Sequence, residues 1–438
     1  MFESNVAVVG AGYVGLTTAA CLASLGHRVT CADTDQAKVD TLRAGQATIR
    51  EPGVRELLVQ GLAADRLEFV LGAAAAASEA EIVFLCVPTP MGRDGAADLT
   101  TLESVVTELR DVLAPGCVVV TKSTVPVGTA VHIDGLLGRT DVAVVSNPEF
   151  LREGSAVHDF LNPERIVIGS EVPPAAERVA VLYKELGAPV VQTDSASAEM
   201  IKYAANCYLA TRLSYVNAIA ELCEHLGADI DDVTRGMGLD QRIGPSFLKP
   251  GPGWGGSCLP KDTHALLRTA EALGCDFPLL RATIDTNHRQ HELVVEKVRQ
   301  AVGGRLTGVR IGLLGLTFKA NTDDLRDSPA LVIAKRMAAE GAELLGFDPS
   351  LPGPAPGTTG QMRVVDTPYQ AADGAAALTV LTEWPEFRDL DWERIAGLLS
   401  GRSVIDTRNH LDPLVLRHAG LSCRQVGHPA PEDLGLAG

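Results

Sequence analysis

Aromatic side chains are scarce, at 4% of the chain, with only three tryptophans and six tyrosines among 438 residues. Alanine, valine, leucine and glycine dominate instead, which favours an α/β protein built from buried parallel strands and closely packed small-residue helices. Cations are also in short supply: 38 Lys and Arg stand against 55 Asp and Glu, a formal net charge of −17. That charge repels phosphate backbones and anionic lipid surfaces, so no nucleic acid and no membrane is expected as a partner. An anionic small ligand would need a local basic pocket. The segment Met1 to Val9 runs straight into a strand pattern, with no basic region leading into an apolar signal core and no uncharged run of membrane length. The nine cysteines form neither CxxC pairs nor cysteine–histidine clusters, which excludes a disulfide framework and a structural zinc site. A reducing, cytoplasmic location and no metal are the resulting expectations. The length suits two or three domains.

The stretch Gly251-Pro252-Gly253-Trp254-Gly255-Gly256-Ser257-Cys258-Leu259-Pro260-Lys261-Asp262 joins a glycine run to one thiol at a helix start. Glycines allow close backbone approach to a ligand, Pro260 suits a first helical turn, and free amides there favour a thiolate. Cys258 is therefore the candidate nucleophile, against the plainer reading of an inert core cysteine. Lys261 adds a cation beside the thiol, and Asp262 a carboxylate one turn away that can handle protons.

Earlier in the chain, Val6 to Val9 reads as a buried strand. Gly10-Ala11-Gly12-Tyr13-Val14-Gly15 and a small-residue helix follow it. In this context Gly10 permits the tight turn, Gly12 admits a pyrophosphate, and Gly15 lets helix pack on strand. A second strand, His27 to Ala32, ends in Asp33, where a carboxylate accepts the hydroxyls of an adenine ribose and repels a 2′-phosphate. NAD is the expected cofactor; a simple turn carboxylate is the alternative. Strands at Ile82 to Val87, Val118 to Lys122 and Val142 to Ser146 end in loops where ligands bind in an open sheet. Thr124 and Glu149 on these loops either face the reacting carbon or bond their own turns.

From Ser195 a long helix is predicted, ending near Gly227, able to join two domains and offer a dimer surface. Lys202 and Asn206 share one of its faces, either as an oxyanion-holding pair or as a surface lysine and an incidental asparagine. More helices are predicted from about Thr263 to Val302. Then the early pattern recurs: Val309 to Gly315 is a strand and turn, a helix begins near Ser328, and Gly341 to Asp348 repeats the spacing of Gly26 to Asp33. The second turn, Leu316 to Arg326, has lost the glycine fingerprint and gained charge, so it should hold a different anion through side chains. Leu351 to Gly360 reads as a flexible loop and the tail after His428 as poorly ordered. The predicted fold is α/β: two Rossmann-like parallel-sheet domains, 1–195 and 304–438, joined by a long central helix and a helical middle domain, 196–303.

Five segments together resemble the UDP-glucose/GDP-mannose dehydrogenase family over nearly the whole chain. They are Gly10 to Gly15, Ser123 to Gly128, Asn147 to Gly154, Gly255 to Asp262, and Phe318-Lys319 through Pro329. The resemblance implies four-electron oxidation of a nucleotide sugar's primary alcohol to a carboxylate, using NAD twice. By the same resemblance Cys258 captures the aldehyde as a thiohemiacetal and then carries a thioester, and Lys202 and Asn206 hold the oxyanion. Asp262 with Lys202 moves protons, while Thr124 and Glu149 place water and assist acid–base steps. The coenzyme is implied to meet Gly10, Gly12, Tyr13, Val14, Gly15, Asp33, Lys38, Thr89, Thr124, Glu153, Lys261 and Arg326. The nucleotide sugar is implied to meet Glu149, Phe150, Leu151, Arg152, Lys202, Asn206, Phe247, Lys249, Gly255, Cys258, Phe318, Lys319 and Arg408. Arg242 matches an arginine offered by a neighbouring subunit, so a homodimer through the central helix is implied. The wording Asn147 to Gly154 is nearer the UDP-glucose branch than the GDP-mannose branch. Trp254 in place of phenylalanine, and Pro250 with Pro252, keep dTDP-glucose, GDP-mannose or another nucleotide hexose open as substrate. A two-electron hydroxy-acid dehydrogenase is the more distant alternative.

Overall fold

The computed structural model describes residues 3–92, 95–351 and 362–429. Most of the loop read at 351–360, and the tail from residue 430, lie outside the described residues. The chain separates into two compact units, one comprising Met1–Ala205 with His264–Leu273, the other Asn206–Thr263 with Gly274–Gly438. The helical stretch 196–303 thus contributes to both.

The first unit holds eight strands: β1 Asn5–Val9, β2 Arg28–Asp33, β3 Leu67–Leu71, β4 Ile82–Leu85, β5 Val118–Thr121, β6 Ala143–Ser146, β7 Ile166–Gly169 and β8 Val190–Thr193. Their order is β3-β2-β1-β4-β5-β6-β7-β8. All neighbouring pairs are parallel except β6 and β7, so the last two strands run against the rest. The pleat of β1 explains the layers. Val6 and Val8 enter one apolar core, with Leu16, Phe69 and Phe84, while Ala7 and Val9 enter the other, with Val83, Leu102 and Ile133. Because both faces are covered, the strands read as unbroken apolar runs, and every residue of β4 and β5 is buried.

The second unit repeats the plan with six strands: β9 Arg310–Leu314, β10 Glu343–Phe347, β11 Met362–Val364, β12 Ala377–Val380, β13 Ser403–Asp406 and β14 Ser422–Gln425. Their order, β11-β10-β9-β12-β13-β14, reproduces that of β1 to β6, and every pair is parallel. In sequence, the strands of the two sheets are separated by the long helix Ser195–Leu226, the helix Leu259–Ala272 and the helix Pro278–Ala301. Asp194 accepts the Ser197 N–H at 2.7 Å to start the first of these, and Gly227, with φ of 71°, follows its end. Among the described residues no helix is long and apolar enough to cross a membrane.

The repeat differs from the original in what its carboxylate does. Asp348, just after β10, is only 1% exposed. Its Oδ2 accepts the Leu316 and Thr317 N–H groups at 2.7 and 3.0 Å and the Trp384 indole at 3.1 Å, and its Oδ1 accepts the Ser350 N–H and hydroxyl at 2.9 and 2.6 Å. The turn after β9 is therefore filled by the protein itself. Replacing Asp348 by Asn keeps the shape but turns one acceptor into a donor facing donors. We expect Asp348→Asn to lower the stability of the second unit by about 2–3 kcal/mol in urea unfolding, with coenzyme affinity retained; an unchanged midpoint would contradict this account.

Candidate active site

In the first unit the glycine turn shows a division of labour. Gly10 has φ of 98°, and a Cβ there would lie 2.7 Å from the Cys86 carbonyl oxygen. A Cβ on Gly15 would lie 1.7 Å from the Gly10 carbonyl oxygen. At Gly12 it would meet nothing within 4 Å. Two glycines are thus demanded by the fold, whereas the third keeps a face of backbone open. The helix Tyr13–Ser24 begins there with no side-chain cap and no acidic residue in its first turn, which leaves amides and a positive dipole end available. Val14 packs against the core. Asp33 accepts the Ala11 N–H at 3.0 Å and pairs with Lys38 at 2.9 Å. Burial disfavours its charge, but Lys38 and the amides of Asp35 and Ala11 outweigh that and hold the carboxyl below its ordinary range. A vacant backbone face beside a helix start and an ionised strand-end carboxylate fit a dinucleotide, and NAD in particular.

Around β5 and β6 the loops are tied together. The buried Thr89 hydroxyl donates to the Thr124 carbonyl at 2.8 Å. Glu149, 5% exposed, receives Lys202, 4% exposed, at 2.9 Å, and the same ammonium donates to the Glu149 carbonyl at 2.7 Å. The Leu151 N–H donates to the other carboxylate oxygen at 2.6 Å. Burial pushes the Glu149 carboxyl up, yet Lys202 and the Leu151 amide bring it below the ordinary range. Lys202 and Arg165 both lie over the Phe150 ring, at 5.3 and 3.9 Å from its centre. At the far end of the loop Gly154 donates to the Tyr13 hydroxyl and to Glu51, which also bonds Tyr13 directly. Glu153, beside Gly154, is partly exposed. Arg152 instead turns to Asp159, which takes both arms of its guanidinium at 2.9 and 2.6 Å.

In the second unit, Cys258 immediately precedes the helix Leu259–Ala272, and its carbonyl accepts the Asp262 N–H at 2.9 Å, so thiol and carboxylate are one turn apart. Asp262 is fully buried and holds Asn206 at 2.6 Å and Lys261 at 2.7 Å. The glycine run wraps onto the second sheet's turn. A Cβ on Gly255 would lie 2.1 Å from the Asp327 carbonyl, and one on Gly256, where φ is 84°, 2.8 Å from the Phe318 ring. Arg408, 17% exposed, donates to the carbonyls of Leu381 and Phe318 at 2.9 and 3.0 Å and pairs with Glu383 at 3.0 Å. Lys319 sits 5.3 Å from the Phe318 ring centre. These residues converge. Lys249 and Phe247 are exposed, Phe247 with φ of 57°. Arg242 and Arg326 each fold back bidentately on a neighbour, Asp240 and Asp324. Asp229, Asp231 and His428 can bring ligand atoms to one point, but both carboxylates are exposed and Asp229 is spent capping the helix Ile230–Gly238.

Several supporting residues carried no signal of their own in the sequence. Glu51 bonds the Gly154 and Ala156 amides, and Glu199 bonds those of Gly128 and Ala130. Asn287 holds both the N–H and the carbonyl of Trp254, at 2.8 and 2.9 Å, while Gln290 and Asn217 hold Gly251. Each is an isolated polar residue whose partner is distant in sequence. Lys122 is the partial exception, since a lysine closing an all-apolar strand is unusual.

Sheet order, glycine turn and strand-end carboxylate define an α/β dehydrogenase with a dinucleotide coenzyme. The chain belongs to the UDP-glucose/GDP-mannose dehydrogenase family: residues 4–187 match its NAD binding domain, 196–289 its central domain and 312–413 its UDP binding domain. It is 42% identical to a UDP-glucose 6-dehydrogenase of Pseudomonas aeruginosa, covering 97% of this chain and 98% of that one. It is also 42% identical to one from Rhizobium meliloti, over 97% and 100% of the two chains. Among solved structures, a UDP-glucose dehydrogenase from Pyrobaculum islandicum superposes with a TM-score of 0.86 at 36% identity, covering 93% of this chain and 95% of that one.

The cysteines separate sharply. Six are buried, and burial pushes the thiols of Cys21, Cys86 and Cys207 up to about 12 and that of Cys117 to about 11. Cys258 is partly exposed and Cys275 exposed. Brief alkylation of the folded protein with iodoacetamide near pH 8, mapped by mass spectrometry, should mark Cys258 and Cys275 and spare Cys21, Cys31, Cys86 and Cys207. Labelling of those four buried cysteines at the rate of Cys258 would be incompatible with the structure.

Proposed function

We propose that this protein oxidises the C6 alcohol of UDP-glucose to the carboxylate of UDP-glucuronate, consuming two NAD⁺ and one water per sugar and releasing two NADH. The observation that carries this reading is the partly exposed thiol of Cys258 at a helix start, one turn before a fully buried carboxylate held by Asn206 and Lys261. Each NAD⁺ bound at the glycine turn would supply one hydride acceptor, so two are needed in succession. A single hydride loss stops at the aldehyde, so the intermediate must be retained between the two. The Cys258 thiolate adds to the aldehyde carbon, and the resulting thiohemiacetal oxygen is stabilised by Lys202 and Asn206, which stand one turn apart on the long helix. Loss of the second hydride leaves a thioester. Water placed by Thr124 and Glu149 then attacks it, Asp262 with Lys202 carries protons, and the thiol is returned.

Arg408, Phe318, Lys319 and Gly255 are assigned to the nucleotide sugar, together with Lys249, Phe247, Phe150, Leu151 and Arg152. Asp33, Lys38, Thr89, Glu153 and Arg326 are assigned to the coenzyme with the glycine turn. A homodimer through the long helix is supported by Tyr208, Tyr215 and Leu222. These apolar side chains at seven-residue spacing are 61%, 53% and 53% exposed. Arg242 would then serve a neighbouring subunit. A cytoplasmic setting is supported by nine cysteines of which none is in a disulfide.

The test is stoichiometric. Incubation with UDP-glucose should yield two NADH per sugar, and a panel with dTDP- and GDP-sugars should favour UDP-glucose. One NADH with free aldehyde accumulating would sink the proposal. Cys258→Ser should reduce overall turnover on the order of 10³-fold with NAD affinity retained, whereas undiminished turnover would point to a simple two-electron dehydrogenase.

A further inference from the structure

Lys122 has no part in the chemistry above, yet it is a buried charge beside it. It directly follows β5, is 5% exposed, and donates to Asn147 Oδ1 at 3.1 Å and to the Tyr183 hydroxyl at 3.5 Å. Tyr183 donates to the same Asn147 oxygen at 2.6 Å, and Asn147 Nδ2 donates to the Val167 carbonyl at 2.8 Å. The rings of Phe160 and Tyr183 lie 5.9 and 5.5 Å from the ammonium. Every one of these partners is neutral. Among the described residues no carboxylate lies within ion-pairing distance of the Lys122 Nζ. An ammonium buried with no carboxylate in contact is costly, so its retention calls for a use.

The use is visible from the loop it supports. Asn147, Pro148 and Glu149 are consecutive, so Lys122 grips the root of the segment whose third residue holds Lys202. The titratable groups that act on Lys122 are Cys86, Glu149 and Lys202, and those that act on Glu149 are Lys202 and Lys122. Burial pushes Lys122 down to about 8, against the pull of Cys86 and Glu149 and with the repulsion of Lys202. Against burial, Lys202 first, then the Leu151 amide and last the charge of Lys122 lower the Glu149 carboxyl below its ordinary range.

We propose that Lys122 is a positioning residue for the oxidation: it anchors Asn147 from behind the loop and sets a buried cation behind Glu149, the residue that holds Lys202. This rests on the roles given above to Glu149 and Lys202. It predicts a direction. Removing the cation raises the carboxyl's proton affinity, so activity should be lost at a higher pH on the acid side.

Lys122→Gln keeps an N–H donor for Asn147 but drops the charge, and Lys122→Arg keeps the charge. With UDP-glucose and NAD, Lys122→Gln should move the acid limb of kcat upward, with KM and NAD affinity within about threefold of the parent. Lys122→Arg should leave the limb in place. An unmoved limb in Lys122→Gln, or an equal displacement in Lys122→Arg, overturns the electrostatic role. A second readout needs no turnover: carboxyl ¹³C resonances of δ-labelled glutamate, with Glu149 assigned by its loss in Glu149→Gln. Its titration should shift upward in Lys122→Gln, and an unshifted titration overturns the inference. A parent enzyme inactive on UDP-glucose would instead overturn the functional proposal, leaving the Lys122 role to be decided by the resonance.

Discussion

Taking a carboxylate and an ammonium out of water together costs more than their attraction returns, unless the remaining hydrogen-bonding capacity is also met. The pair formed by Glu149 and Lys202 satisfies that condition. Lys202 reaches both the carboxylate and the carbonyl of Glu149, and the Leu151 amide completes the acid. Much of the first unit can be understood as what is needed to bring these groups to one dry point. β6 delivers the loop, the Tyr13, Glu51 and Gly154 bonds fix its far end, and Asn147 with Lys122 fixes its near end. Glu199, one turn before Lys202 on the long helix, is in turn tied to the Gly128 and Ala130 amides. The early part of that helix is thereby pinned to the same sheet.

One sheet order serves twice, with opposite fillings. After β1 the turn is kept open at Gly12, and Asp33 retains capacity beyond Ala11, Asp35 and Lys38. After β9 the corresponding carboxylate is consumed by its own turn, by Ser350 and by Trp384. What the second unit offers a ligand must therefore come from side chains around Phe318, Lys319 and Arg408. The same six-strand order thus yields a backbone-lined anion site in one case and a side-chain-lined surface in the other.

The glycine run before Cys258 illustrates how a loop rich in the most permissive residue becomes rigid. Asn287, Gln290 and Asn217 take the backbone groups of Gly251 and Trp254, and Ser214 takes the Trp254 indole. Gly255 and Gly256 are pressed against Asp327 and Phe318 at distances no side chain would permit. Glycine here buys close approach, not motion. The neighbouring thiol is consequently presented from a fixed framework.

Sequence alone determined whatever depends on near neighbours in the chain. Mostly apolar runs ending in polar, proline- or glycine-bearing turns marked β1, β2, β4, β5, β6, β9 and β10, because a strand buried on both faces leaves a contiguous signature. The strands β3, β7, β8, β11, β12, β13 and β14 were not read; β7 and β12 are as short and as fully buried as β4 and β5, so an apolar run of four residues does not by itself separate strand from loop. Cys258, Asp262, Lys202 and Asn206 were legible because their spacing is one helical turn. Tertiary structure alone decided that Asp33 keeps bonding capacity while Asp348 has none, that Arg152, Arg242 and Arg326 fold onto adjacent carboxylates, and that Lys122 stands buried behind Glu149. Those outcomes turn on partners dozens of residues away or on the direction a long side chain takes, and neither the identity of a residue nor its local spacing records them.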